Sequence, residues 1–312
     1  GVGALMITRV TERALITDFT NSVSRLRRQQ AAAQAALSSQ KKLREPSDDP
    51  VGTARSTRLR GETKELGAYR DSVGVGTATL GAQDAVLGEV HDILIRAREI
   101  AAGLSGSLST AEARQTAGVE VVELERGLLA LSNTTVAGRY IFGGLSTTGP
   151  VFTSLDDPGF TPGTAYTGST TPFAVRTARD ETIRITTNGG DVLTSSVQAL
   201  DDLRQTLAAG TDPVASLATL ESAANDIRQE RASVGGRLSR LQTRDHEIGT
   251  AVFTAKKSLA GVEDADLTET ITQLAQVRNA LEATLTTGST LLKTTILDFL
   301  RLYGANGDGT GT

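Results

Sequence analysis

The stretch LREPSDDPVGTARSTRLR, residues 43–60, places two prolines around a pair of adjacent aspartates. Pro46 disfavours helical backbone in the residue before it, so a helix entering this stretch stops near Arg44. Pro50 does the opposite, because a first helical turn does not need the N–H that proline lacks, and the Asp49 carboxylate can cap that turn. Pro46, Ser47, Asp48, Asp49 and Pro50 therefore read as a hinge and helix cap between two helices.

Upstream, Phe19, Val23, Leu26, Gln30, Ala33, Leu37 and Gln40 alternate steps of four and three, the spacing of a coiled-coil seam. The reading starts at the single methionine, Met6, and gives a helix over residues 6–44. Two glutamines in the seam make it weak alone and dependent on a partner helix. Downstream no proline recurs until Pro150, so a helix of about 80 Å is expected from Pro50 to near Ala102. After a Gly/Ser break at residues 103–109, Thr110 and Glu112 open another helix carrying Val119, Val122, Leu124, Leu128 and Leu131, ending near Ala137 and Gly138.

The middle of the chain changes character. Four of the seven prolines lie between Pro150 and Pro172, and Tyr140, Phe142, Phe152, Phe160, Tyr166 and Phe173 supply six of the eleven aromatics. Residues 173–176 and 182–187 alternate as short strands closed by Asn188 and Gly189, which gives a small β module. The helical period returns near Ser195, breaks between Gly210 and Pro213, and runs on to about Leu259. A last helix starts around residues 263–266 and carries Leu267, Ile271, Leu274, Leu281, Leu285, Leu292, Ile296 and Phe299. The interior glycines Gly74 and Gly76 read as points of close helix packing or local flexibility.

Together these elements predict a mainly α fold, an elongated bundle of long antiparallel helices formed by both chain ends, with a small inserted β-rich domain. The expected division is residues 6–44 plus 270–303 as a terminal coiled-coil assembly domain, 45–138 plus 195–269 as a helical core, 139–194 as an outer β-rich domain, and 304–312 as a disordered glycine-rich tail. Phe19, Val23, Leu26, Leu37, Leu281, Leu285, Leu292, Ile296 and Phe299 are the expected subunit-interaction residues.

Composition narrows the function. The net charge of −4 argues against a nucleic-acid binder, although residues 6–60 hold eleven Lys/Arg against five Asp/Glu, the mark of a solvated or docking face. With no cysteine there is neither disulfide nor thiol chemistry. No apolar run reaches the length of about 18 residues that a transmembrane helix needs, and no cleavable secretory signal opens the chain. The two histidines, His91 and His246, stand alone in helix-period sequence and read as packing or solvated side chains. Glu263, Asp264 and Asp266 resemble a cation loop but fit a helix start, where the dipole favours acids. No phosphate loop or catalytic constellation is legible, so no catalytic residue, metal or cofactor is expected and the chain is not read as an enzyme.

Five segments, in order, then carry a resemblance. Residues 43–60 resemble the N-terminal signature of the flagellin superfamily, with SDDP in the form of its hook-associated branch. GRYIFGG, residues 138–144, is similar to the point where that family leaves its helical domain for an outer β domain. RASVGGRLSRL at 231–241 and VEDADL at 262–267 resemble the returning helical domain, and LLKTTILDFL at 291–300 its C-terminal helix. Flagellins more usually carry a DDAAG form at the positions of Asp48 to Gly52, where Asp49-Pro50-Val51-Gly52 follow Asp48 here, and an asparagine with a leucine pair where Leu297-Asp298-Phe299-Leu300 stand.

The resemblance implies a secreted, extracellular subunit of the bacterial flagellum at the hook–filament junction, exported unfolded without a cleavable signal peptide. Its implied partners are the first hook-associated protein, flagellin, copies of itself in a ring, the flagellar type III export apparatus and an export chaperone, with neither nucleic acid nor membrane among them. The alternatives are a flagellin filament subunit and a secreted coiled-coil protein outside the flagellum.

Overall fold

The computed structural model describes residues 2–47, 49–106, 109–146 and 149–304, with the side chains of these other than 2–13, 15, 291, 292 and 294–304. Among the described residues the helices are α1 Val2–Ser39, α2 Pro50–Leu104, α3 Ala111–Ser132, α4 Gly189–Ala208, α5 Ser216–Glu263 and α6 Leu267–Gly304. The strands form two antiparallel pairs, β1 Thr135–Val136 with β2 Arg139–Tyr140, and β3 Ala174–Ala178 with β4 Glu181–Arg184. The chain is thus mainly α with a small β part. Asp48 and the tail at 305–312 lie outside the described residues.

The chain forms two compact units, residues 1–60 with 256–312 and residues 61–255, with boundaries inside α2 and α5. In the first, α1 packs along α6. The second holds a continuous hydrophobic core. On α2 that core takes Val73, Leu80, Leu87, Leu94 and Ala101, and on α5 Leu220, Ile227, Val234, Leu241 and Ile248, each series repeating every seven residues. A seven-residue period keeps one seam turned inward over many turns, which a straight helix of about 3.6 residues per turn would let drift. The α4 residues Leu193, Val197, Leu200, Leu203 and Leu207, and Leu128 of α3, complete the layer.

The β segments belong to this core. Ile141 and Phe142, inside GRYIFGG, are buried with Phe152, Val175, Ile183 and Ile185. Gln83 of α2 is fully buried and donates from Nε2 to the Ile141 carbonyl at 2.6 Å. Gly76 permits the close approach, since a Cβ there would stand 2.8 Å from Leu241 Cδ1 and 2.9 Å from Ile185 Cγ2. Close packing is therefore the role at Gly76, whereas Gly74 faces open space.

Several boundaries differ from the sequence reading, each for a local reason. α1 ends at Ser39 instead of near Arg44, because Gln40 turns into left-handed backbone (φ 56°) and its carbonyl accepts the Ala265 N–H at 3.0 Å. Gln40 is thus a helix terminator, not a seam position. α3 ends at Ser132, since the Asn133 side chain leaves to clamp another segment: Oδ1 accepts the N–H groups of Val151 (2.7 Å) and Phe152 (3.0 Å), and Nδ2 donates to the Phe152 carbonyl (2.9 Å). Ala137 and Gly138, expected to close that helix, form the two-residue turn of the β1–β2 hairpin, both with positive φ as a type I′ turn requires. α4 begins at Gly189 instead of Ser195, because Asn188 caps it by accepting the Gly190 N–H at 3.0 Å.

Candidate functional site

The terminal pair can be built from its side chains upward. On α1, Phe19, Val23, Leu26 and Leu37 are half-buried and Ala33 is buried. On α6, Leu274 and Val277 are buried, Leu281 is half-buried, and Leu285 is 42% exposed. The side chains of Leu292, Ile296 and Phe299 lie outside the described residues. Leu267 and Ile271, read as apolar helix positions, are exposed at 41% and 53%, as is Ile16 at 50%. A seam of this kind forms a helix pair yet leaves much of its apolar surface in water.

One contact locks the register. Gly288 is buried because the Phe19 ring lies over it; a Cβ at Gly288 would overlap the ring edge, standing 2.9 Å from Cδ2 and nearer still to Cε2 and Cζ. An aromatic knob from α1 thus enters a hole that α6 makes by omitting a side chain. Gly288 therefore has a packing role inside α6.

At the other end of the pair the chain turns twice, and the turns are stitched together. Lys42 N–H donates to the Glu263 carbonyl at 2.8 Å, Ala265 N–H to the Gln40 carbonyl at 3.0 Å, and Lys41 bridges Asp264 in antiparallel fashion. The Glu263 side chain, only 5% exposed, sits between two cations, with Lys41 Nζ 2.7 Å from Oε2 and Arg60 Nη2 2.7 Å from Oε1. Arg60 approaches as an ion pair, off the line of a good hydrogen bond. Arg60 holds the Glu263 carboxyl below the ordinary range; burial opposes this and Lys41 reinforces it.

The three acids expected at one helix start divide their work. Glu263 is the last residue of α5, where a carboxylate opposes the helix dipole and needs its two cations. Asp266 alone caps α6, its Oδ1 accepting from Thr268 N at 2.9 Å and Glu269 N at 3.1 Å. Among the described residues no three His, Cys, Asp or Glu side chains gather as a metal set. Across the hinge stretch, Pro46, Ser47, Asp49 and Pro50 are exposed, and Asp49 Oδ1 accepts from Val51 N at 3.1 Å and Gly52 N at 2.9 Å, opening α2. His246 is exposed, and His91 is half-buried with Nδ1 unpartnered.

Sequence reasoning missed the joint because its parts are a backbone turn and an acid that pairs 222 positions away. The unmatched acid at a helix C-terminus and the basic run Lys41, Lys42 and Arg44 were the signals available.

Residues 14–147 match the family described as the bacterial flagellin N-terminal helical region. The flagellar hook-associated protein 3 of Escherichia coli strain K12 is 25% identical over 278 residues, covering 79% of this chain and 85% of that protein. The chain is similar to hook-associated protein 3. A solved structure described as a flagellar hook-associated protein of Vibrio parahaemolyticus superposes with a TM-score of 0.61 at 18% identity, covering 70% of this chain and all (100%) of that one. The flagellar junction protein of Legionella pneumophila does so at 0.53 and 14% identity, covering 67% and 99%. At such identities these two establish the shared fold. Among the described residues no helix is long and apolar enough to cross a membrane.

Proposed function

We propose that this chain is a structural subunit of the bacterial flagellum, forming the junction between the hook and the flagellin filament. The observation that carries this is the similarity to hook-associated protein 3 along most of both chains, coupled with the flagellin-type N-terminal region. The subunit works by contact instead of catalysis. Residues 6–44 and 270–303 act as the assembly domain, and Phe19, Val23, Leu26, Leu37, Leu281, Leu285, Leu292, Ile296 and Phe299 meet neighbouring subunits. The incomplete burial of the described members of this set, half-buried at Phe19, Val23, Leu26, Leu37 and Leu281 and exposed at Leu285, supports that role, since a seam that leaves apolar surface in water gains by burying it against another copy.

In this reading residues 45–138 plus 195–269 form the helical core, 139–194 face outward, and the stretch from Pro46 to Pro50 adjusts the layers. The first hook-associated protein and flagellin are the axial partners, copies of the chain complete a ring, and delivery is through the flagellar export apparatus with a chaperone. The subunit then resides outside the cell. Electron microscopy of a deletion strain tests the reading: hooks without attached filaments, with flagellin shed as monomer and filaments restored by the gene, are expected. Intact filaments on the deletion strain overturn it. Micrometre-long homopolymers grown from purified protein would move the chain to the filament instead.

A further inference from the structure

Where α3 meets α4, the second unit buries more negative than positive charge. Glu125 of α3 is fully buried, Asp201 of α4 nearly so, and Arg204 of α4 is the cation that reaches both. Its Nε donates to Glu125 Oε2 at 3.0 Å and its Nη2 to Asp201 Oδ1. Gln205 Nε2 donates to Asp201 Oδ2 at 2.6 Å, so both Asp201 oxygens are satisfied. Glu125 Oε1 is enclosed and meets no donor.

Neighbouring elements do not supply the missing charge. On α2, Arg96 is engaged by Glu120 and Glu99 and Arg98 by Glu221, all at exposed positions, and His91 is half-buried with its Nδ1 unpartnered. Arg126, next to Glu125 on α3, points to Glu123 and Asp156. The charges acting on Glu125 are those of Arg204 and Asp201. Were both carboxylates ionised, one guanidinium would serve two buried anions and one carboxylate oxygen would have lost its water for nothing. A neutral Glu125 leaves Arg204 matched one-to-one with Asp201.

We propose that Glu125 is a proton-binding site of the folded subunit, and that taking up and releasing this proton tightens and loosens the packing of α3 on α4. Burial pushes the carboxyl up to about 7, Arg204 opposing the rise and Asp201 adding to it. In the unfolded chain the same group titrates near an ordinary value of about 4.3. Between these values the folded state binds more protons than the unfolded one, so this contribution to stability falls as pH rises through the window and levels off above it.

The test uses the full chain labelled with carbon-13 at glutamate carboxyls. One carboxyl is expected to titrate near neutrality, and its signal should vanish in Glu125→Gln. Urea unfolding should show the wild type losing stability relative to Glu125→Gln from pH 5 to pH 8. Protection factors for amide exchange in α3 and α4, which remove the intrinsic pH dependence of exchange, should also fall over that range in the wild type but not in the variant. Asp201→Asn, which removes the neighbouring negative charge, should move the wild-type midpoint to lower pH. If Glu125→Gln does not fold, the wild-type titration and the Asp201→Asn shift still decide. All glutamates titrating in the ordinary range, or a variant that keeps the wild-type pH slope, would overturn the proposal.

Discussion

The two units solve the same problem, packing long helices, to different degrees. α2 and α5 bring unbroken seven-residue series into one core, with no solvent exposure at Leu80, Leu87, Leu94, Leu220, Ile227 or Val234. α1 and α6 bury Ala33, Leu274 and Val277 but leave Phe19, Val23, Leu26, Leu37 and Leu281 half covered. One layer is closed and the other is left partly open. The division suits the proposed subunit, which would fold by itself and then join others.

The sharpest way to break the comparison is to remove the same group from each unit. Leu87→Ala, in the closed core, should cost about 3 kcal/mol through lost burial plus a cavity. Leu26→Ala, on the half-covered seam, should cost less than about 1 kcal/mol, because its surroundings are already partly water. Urea unfolding followed by circular dichroism measures both. Equal losses would mean that the terminal pair is as closed as the core.

A second test acts on the register of the open pair. Glycine to alanine inside a helix ordinarily stabilises by up to about 1 kcal/mol, since the backbone loses less freedom on folding. At Gly288 the sign should reverse, because the new Cβ occupies the place of the Phe19 ring, and overpacking of this kind costs about 1–3 kcal/mol. Amide exchange in α1 should accelerate in Gly288→Ala, and Phe19→Ala in the same chain should remove most of the additional loss. A Gly288→Ala protein with a better protected α1 would show that the ring has another place to go.

How much of this could be read beforehand depended on distance along the chain. Pro50 with Asp49, Thr110, and the aromatic turn at residues 138–144 are local signals, and each placed its element. The helix boundaries set by Asn188 and Asn133 are not legible in this way, because such side chains choose between capping a helix and binding a distant backbone, which composition alone does not decide. The core repeats of α2 and α5 were present in the sequence, but alanines and glycines between the leucines made the proline-free length more visible than the period. The seat of Phe19 on Gly288 was not legible at all, since an absent side chain has meaning only beside the ring that fills the space.

The joint at Glu263 separates the units by their response to acid. Its carboxyl is held below the ordinary range, mainly by Arg60, so its contribution to stability is fully present above the unfolded value of about 4.3 and is lost as pH falls through the folded value. Glu125 has the reverse dependence. Acidification below pH 4 should therefore loosen residues 40–43 and 263–266, seen as lower protection factors for amide exchange, while leaving Glu125 protonated. Glu263→Gln should cost about 1 kcal/mol at neutral pH, a modest figure because Lys41 and Arg60 are themselves largely exposed, and should remove this acid sensitivity. An unchanged acid response in the variant would place the sensitivity elsewhere.

The smallest expected effect on the monomer carries the largest consequence for assembly. Leu285 lies on α6 three turns beyond Leu274 and is 42% exposed, so the folded chain gains little from it. Leu285→Asp should change unfolding stability by no more than about 0.5 kcal/mol, the usual range for an exposed position without special partners. In a ring of subunits the same position is proposed to be enclosed by a neighbouring helix, where an unpaired carboxylate must either lose its hydration or keep the surfaces apart. Incorporation into flagella should then fail while circular dichroism, melting and export remain as in the wild type. A variant that assembles normally would remove Leu285 from the proposed interface, and one that unfolds would move it into the monomer's own packing, closing the difference between the two units at this point.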